Sequence, residues 1–274
     1  MQEVTLSDAS GVPIYLVRSL FAGMEQHLAV RAVLRGVASG RVFADEAAGQ
    51  AVVWVQHRVL LGGRPAQNER LAELLREIAA TSAARGDYGF GLYYPTPWTE
   101  VAPALLAGLQ SFPLARQYWQ RDLADLPPGQ PAVPAGLRLQ AVDSTLVEDA
   151  TLGGVEALRE EMCSERPSVA DFLARSFGVC LTTDAATGRE LAGWCLSEYN
   201  CDDRCEVGIE TVETYRRQGL ATAMTLALCA AAREHGLHSV GWHCIAANQP
   251  SAATARRAGF AHVLSYPSHV VQLR

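Results

Sequence analysis

The stretch ETVETYRRQGLA, Glu210 to Ala221, decides how this chain is read. Leading into it, CEVGIET (205–211) alternates as a strand does, with Cys205, Val207, Ile209 and Thr211 on one face and Glu206, Gly208 and Glu210 on the other. Leading out of it, Leu220, Ala223, Met224, Ala227, Leu228 and Ala231 keep helical spacing. Leu226 and Cys229 make further faces apolar, so a helix over about 219–235 lies buried against a sheet. The junction is therefore a strand-to-helix turn. Gly219 lets successive backbone N–H groups point outward and lets an anion approach the backbone, where the positive helix N-terminus favours a phosphate or pyrophosphate. Small Ala221 leaves room at the next turn, and Arg216 and Arg217 add positive charge to a chain of net charge −6.

The same half holds more strands and helices around this turn. LRLQAV (137–142), GVCLTT (178–183) and ELAGWCLSEY (190–199) read as strands, the last two separated by an Asp184 to Gly188 turn, with helical stretches near 144–162 and 168–177. SVGWHCI (239–245), a helix from about Pro250 to Ala258 ended by Gly259, and FAHVL (260–264) complete it. Upstream, DLADLPPGQPAVPAG (122–136) suits an extended connector with little to bury. This places an N-terminal domain at 1–121, a Pro-rich linker at 122–136 and a C-terminal domain at 137–274. In the first half, Ile14 to Val37 has helix-like apolar spacing, and AVVWV (51–55) and RVLLG (58–62) read as strands. A helix faced by Leu71, Leu74, Leu75 and Ile78 ends at Gly86. YGFGLYY (88–94), a helix from Pro97-Trp98 and a strand near 114–119 follow. Both halves thus run strands, long helix, strand, shorter helix, strand, which points to an internal duplication within an α/β, mixed-sheet protein.

Composition narrows the function. All 23 basic residues are Arg. Without a lysine the chain cannot be a pyridoxal-phosphate enzyme, a Schiff-base aldolase, a phosphate-loop NTPase or a protein kinase. No apolar run approaches a membrane span, and the start MQEVTLSDASG lacks the basic-then-apolar order of a secretory signal, so a cytoplasmic protein without membrane contact is expected. The acidic balance lacks the footprint of a nucleic-acid binder. Seven cysteines, all in the second half and irregularly spaced, do not form a disulfide framework. Around Cys195, Cys201 and Cys205 no second close pair completes a zinc set, so no metal is expected, and Cys201 and Cys205 are expected to face each other across a hairpin.

Arg216-Arg-Gln-Gly-Leu-Ala221 matches the Arg/Gln-x-x-Gly-x-Gly/Ala signature of the GNAT superfamily of acyl-coenzyme A dependent N-acetyltransferases, and Asn248, Ser251 and Gly259-Phe260 fall where that superfamily has its Asn-x-x-Ala/Ser helix and closing Gly-Phe. With GIET (208–211) and GWHC (241–244), the chain most resembles the GNAT acetyltransferase subgroup that includes zwittermicin-resistance-type proteins, whose catalytic half follows a GNAT-like N-terminal half. The resemblance implies a GNAT fold in two tandem halves, the first one degenerate, and acetyl-coenzyme A (acetyl-CoA) as cosubstrate for acetyl transfer to a primary amine of a small molecule by direct attack in a ternary complex. Arg216, Arg217, Gln218, Gly219, Leu220, Ala221 and Thr222 would cradle the pyrophosphate. The strand bearing Ile209 and Thr211 would pair with pantetheine as an added strand does, and Asn248 and Ser251 would border the pantetheine arm. In the first half, GGRPAQN (62–68) lacks the signature and Pro65 removes a donor, so no second coenzyme site is expected. That half would wall the acceptor cleft or form a homodimer surface.

An ammonium group must lose a proton before it attacks a thioester. Glu206 and Glu210 are the candidate bases, with Glu206 slightly preferred because Glu210 is nearer the turn and suited to ordering it. Many relatives have a tyrosine four residues before the closing glycine as general acid, where this chain has Ala255. A coenzyme-binding module without turnover is the alternative that this departure keeps open. His243 and Cys244 point to opposite faces of their strand and do not form a nucleophile pair.

Overall fold

The computed structural model describes residues 1–4, 14–127, 129, 131–183 and 188–274. The Asp184 to Gly188 turn and the Pro128–Gln130 part of the connector thus lie wholly or partly outside the described residues. The chain forms two compact units, Met1–Gln117 with Ser265–Arg274, and Tyr118–Leu264. The division falls inside a strand just ahead of the Pro-rich segment, and the last ten residues belong to the first unit.

The first unit contains β1 (Gln2–Val4), α1 (Ile14–Leu20), α2 (Leu28–Leu34), β2 (Arg41–Asp45), β3 (Gln50–Val55), β4 (Arg58–Gly63), α3 (Glu69–Arg85), β5 (Gly89–Tyr93), α4 (Ala102–Leu105) and the start of β6 (Ser111–Asp122). β1 to β4 pair antiparallel in sequence order, and β4 and β5 pair in parallel. The stretch 14–37 is two short helices rather than one, because the chain turns at Gly23 in the left-handed region (φ 86°). Leu71, Leu74, Leu75 and Ile78 are buried on α3, which Gly86 ends at φ 91°. The helix expected from Pro97-Trp98 is one 3-10 turn followed by the four-residue α4.

The second unit contains the end of β6, then β7 (Leu137–Ala141), α5 (Ser144–Glu148), α6 (Val155–Glu165), α7 (Val169–Arg175), β8 (Gly178–Thr183), β9 (Leu191–Cys201), β10 (Arg204–Thr211), α8 (Leu220–Glu234), β11 (Ser239–Ile245), α9 (Gln249–Arg257) and the start of β12 (Ala261–Gln272). The 144–162 stretch breaks at Gly153-Gly154, where Gly154 takes φ 82°. β12 runs eight residues beyond the expected 264, and its Ser268–Gln272 end pairs antiparallel with β5 in the first unit. β7 to β10 pair antiparallel and β11 joins β10 in parallel. α8 buries Leu220, Met224, Ala227 and Leu228 against Val179, Leu181, Ala192 and Cys195, while Cys229 and Ala232 join Cys205, Val240, Trp242 and the α9 residues Ala252 and Ala255. Burying about a dozen such side chains at roughly 1 to 2 kcal/mol each holds the turn before α8 in place.

One cysteine reading changes. The hairpin turn is Asp202-Asp203, so Cys201 faces Arg204, and Cys205 falls within a β-bulge between Arg204 and Glu206. The two cysteines are not opposite each other. All seven are free thiols. Burial pushes the Cys180 and Cys229 thiols up to about 12, and Cys195 and Cys205 well above the usual thiol range, so these four carry no thiolate nucleophile at neutral pH.

Candidate active site

β10 and β11 pair only at Arg204–Ser239, Cys205–Val240 and Glu206–Gly241. Beyond Glu206 the two strands part, and Val207 to Thr211 keep partners on the β9 side alone. A cavity of about 920 Å³ lies beside this parting. Its walls include Ile209, Glu210 and Thr211 from β10, Arg216, Arg217 and Gly219 from the turn, Leu220, Ala221 and Thr222 from α8, Trp242 from β11 and Asn248 and Ser251 from α9. Every cofactor-binding candidate except Gln218 is thus brought to one cavity.

The turn has the backbone of an anion cradle. Arg217, though not glycine, takes φ 63°, and Gly219 takes φ 79° as the N-cap of α8. Such alternation aims successive N–H groups into a concavity. No side chain caps the helix, which leaves the N–H groups of Leu220, Ala221 and Thr222 without intrahelical partners. A Cβ at Gly219 would meet nothing within 4 Å. This glycine is therefore demanded by its backbone angle and not by crowding, and the space beside it is open.

Other candidates have local duties. Asn248 Oδ1 accepts the Ser251 N–H at 3.1 Å as the cap of α9, and Ser251 Oγ accepts the Trp242 Nε1–H at 3.1 Å. Arg216 donates to the Thr211 carbonyl and to Glu210 Oε1, both at 2.9 Å. Glu210 is thus tied to the turn and about half exposed, whereas the Glu206 side chain is only 3% exposed. Glu206 is a buried carboxylate at the last paired position before the strands part, and it does not line the cavity. Directly opposite it on β9 stands Glu198, whose carboxylate lies over Gly208; a Cβ at 208 would come 2.3 Å from its Oε1. Sequence patterning did not link Glu198 or His243 to Glu206, because the strand register that brings them together forms only in the folded sheet. Ala255 is fully buried in the core, on the face of α9 away from solvent. Tyr266 belongs to the first unit, where its hydroxyl accepts from Arg116 at 3.2 Å.

The first unit repeats the strand geometry but closes the turn. β4 and β5 also pair over three residues, Arg58–Gly91 to Leu60–Tyr93. At the start of α3, however, Asn68 caps the helix by accepting the Arg70 N–H at 3.0 Å. Gln50 Nε2 donates to the Arg64 and Ala66 carbonyls, and its Oε1 accepts from Asn68. Here a side chain takes a helix N–H of the kind that α8 leaves open, and Gln50 ties the preceding loop to that cap.

A family model described as GNAT acetyltransferase matches residues 18–268. An uncharacterized N-acetyltransferase, YdfB, of Bacillus subtilis (strain 168) is 30% identical over 134 residues, so this chain spans 48% of that relative's length, using 49% of its own. Among solved structures, a GCN5-related N-acetyltransferase-like protein from Streptococcus suis matches with TM-score 0.71 at 18% identity, over 94% of this chain and 98% of that one. A tandem GNAT protein from the clavulanic acid biosynthesis pathway matches with TM-score 0.59 at 15% identity, over 100% and 98%. At these identities the structures speak for the fold: a mixed α/β sheet with helices, as in GNAT proteins. Among the described residues no helix is long and apolar enough to cross a membrane. With a family match that runs through both units and the signature turn, this chain belongs to the GNAT acetyltransferase family.

Proposed function

We propose that this chain transfers an acetyl group from acetyl-CoA to a primary amine of a small molecule, in a ternary complex and without an acyl-enzyme. The observation that carries the reading is the parting of β10 and β11 beside a cavity bounded by the uncapped N-terminus of α8. The free N–H groups of Leu220 to Thr222, with Arg216, Arg217 and Gln218, would hold the pyrophosphate. The unpaired edge of Val207 to Thr211 would take the pantetheine arm as an added strand, with Asn248 and Ser251 along its border. Acetyl-CoA supplies an activated acyl group whose carbon–sulfur bond is the one broken.

Glu206, buried and aimed away from the apolar core, accepts the ammonium proton, directly or through one water. The freed nitrogen lone pair attacks the acetyl carbonyl carbon, the carbon–sulfur bond breaks with its electron pair on sulfur, and the attacking nitrogen loses its second proton to water as the amide forms. With Ala255 in the core, no tyrosine on α9 protonates the leaving sulfur. A thiol of pKa about 8.5 that departs as thiolate near pH 7 forgoes roughly 2 kcal/mol, and solvent returns the proton.

The same buried Ala255 favours a second reading, a coenzyme-binding module without turnover. A thiol-release assay with acetyl-CoA and a panel of primary amines separates the two. Amine-dependent release supports the transferase, whereas tight binding with no release above background from any amine supports the module.

A further inference from the structure

His243 stands on β11 two residues beyond Gly241, the residue that faces Glu206 across the parallel pair. Its Nε2 lies 3.5 Å from Glu206 Oε1, and the two side chains are 8% and 3% exposed. The ring of Tyr118 lies against the imidazole, with centroids 4.8 Å apart and planes inclined by 35°. Tyr118 is itself anchored: Arg204 Nη2 donates to its hydroxyl at 2.7 Å, and the hydroxyl donates to Gln120 Oε1 at 3.2 Å. Gly241 makes the assembly possible, because a Cβ there would stand 3.0 Å from the Tyr118 ring and 3.5 Å from Glu206 Cγ.

The surroundings explain why a buried base needs such a neighbour. A carboxylate withdrawn from water binds its proton more readily, and a second carboxylate nearby adds to that tendency. Glu198 from β9 supplies the second charge, and Glu165 on α6, whose carboxylate accepts the Tyr199 N–H, is a further acid on that side. Against these stand Arg204 on β10 and His243 on β11. Burial holds the Tyr118 hydroxyl protonated, so from β6 it adds no charge.

We propose that His243 is a positioning residue for Glu206: carrying its proton on Nε2, it donates to a carboxylate oxygen and holds the group oriented and ionised to take the acceptor's proton. The inference rests on the reading of Glu206 as the base. At 3.5 Å the contact is long for a charge-assisted hydrogen bond, and the proposal requires it to shorten when the acceptor binds, as catalytic hydrogen bonds commonly do. Stacking on Tyr118 fixes the plane in which that shortening occurs.

The test is the pH dependence of kcat/KM for thiol release, with acetyl-CoA and the one primary amine of the panel that gives the greatest release. In His243→Leu the acidic limb moves up by about one pH unit, so that kcat/KM falls roughly tenfold at pH values on that limb and little on the plateau, with acetyl-CoA affinity within about twofold of wild type. His243→Gln, whose amide can donate from a similar place, recovers most of the loss. An acidic limb in folded His243→Leu that coincides with wild type overturns the proposal. So do 15N shifts of the wild-type imidazole that place its proton on Nδ1 alone, a measurement that needs neither turnover nor a stable variant. Glu206→Gln at wild-type rate sinks the base assignment itself, which distinguishes that failure from the failure of His243.

Discussion

Gly219 takes φ 79°, a conformation that L side chains rarely adopt, in open space where the phosphates would sit. Alanine there costs about 1 kcal/mol of backbone strain and puts a methyl group in the phosphate's approach. Gly219→Ala should therefore weaken acetyl-CoA binding at least roughly tenfold in calorimetry while circular dichroism stays that of a folded protein. Unchanged affinity would mean that the cradle lies elsewhere. Glu206→Gln should lower kcat on the order of a hundredfold with coenzyme affinity within about twofold, and a flat pH–rate comparison with wild type would remove Glu206 as base. At this scale the sequence made the turn legible, since a glycine set between an alternating strand and an apolar helix marks a tight turn whose backbone N–H groups could face an anion. It left two glutamates open because their difference lies in the fold: Glu210 is held by Arg216 only once the turn has closed, and Glu206 is buried only once β9 and β11 flank it.

α8 and α3 follow equivalent strands yet begin differently, one with a bare glycine and the other with a capping asparagine tied to Gln50. Asn68→Ala should cost about 1 to 2 kcal/mol, read as a lower urea midpoint, and leave acetyl-CoA affinity at the wild-type value. A loss of affinity would show that the first unit's turn binds the coenzyme after all. In the first unit Tyr94 and His269 share a hydrogen bond of 2.6 Å, and burial pushes the His269 imidazole below its ordinary value. The folded state then binds fewer protons than the unfolded one just below pH of about 6.5, so this contribution is complete above that value and is lost as pH falls through it. The urea midpoint should drop between pH 7 and 5.5, and the drop should shrink in His269→Gln; an equal drop in both would assign the effect to other groups. Periodicity located α3 and α8 well because each is one uninterrupted apolar stripe, whereas α9 was marked by its bounding Pro250 and Gly259. It over-extended 14–37 and 144–162, where Gly23 and Gly154 turn the chain within an apolar pattern that continues on both sides. The length of β12 was hidden by Pro267, which reads as a strand breaker yet sits within the strand.

The molecule consists of two units with a shared order of elements, and both contain a pair of parallel strands joined over three residues. In the second the following helix starts without a side-chain cap, in the first Asn68 caps it, and only in the second does the arginine-rich signature occur. Its lack of lysine fits the proposed chemistry, in which backbone amides, a helix terminus and arginines would meet the phosphates and a carboxylate would handle the proton. The central claim is that one of the two turns is a coenzyme site and the other is sealed by its own side chains. Calorimetric titration of the full chain with acetyl-CoA tests it most directly. We expect saturable binding with one equivalent per chain, weakened at least roughly tenfold in Gly219→Ala and retained in Asn68→Ala; no binding up to millimolar ligand, or two equivalents per chain, would contradict it.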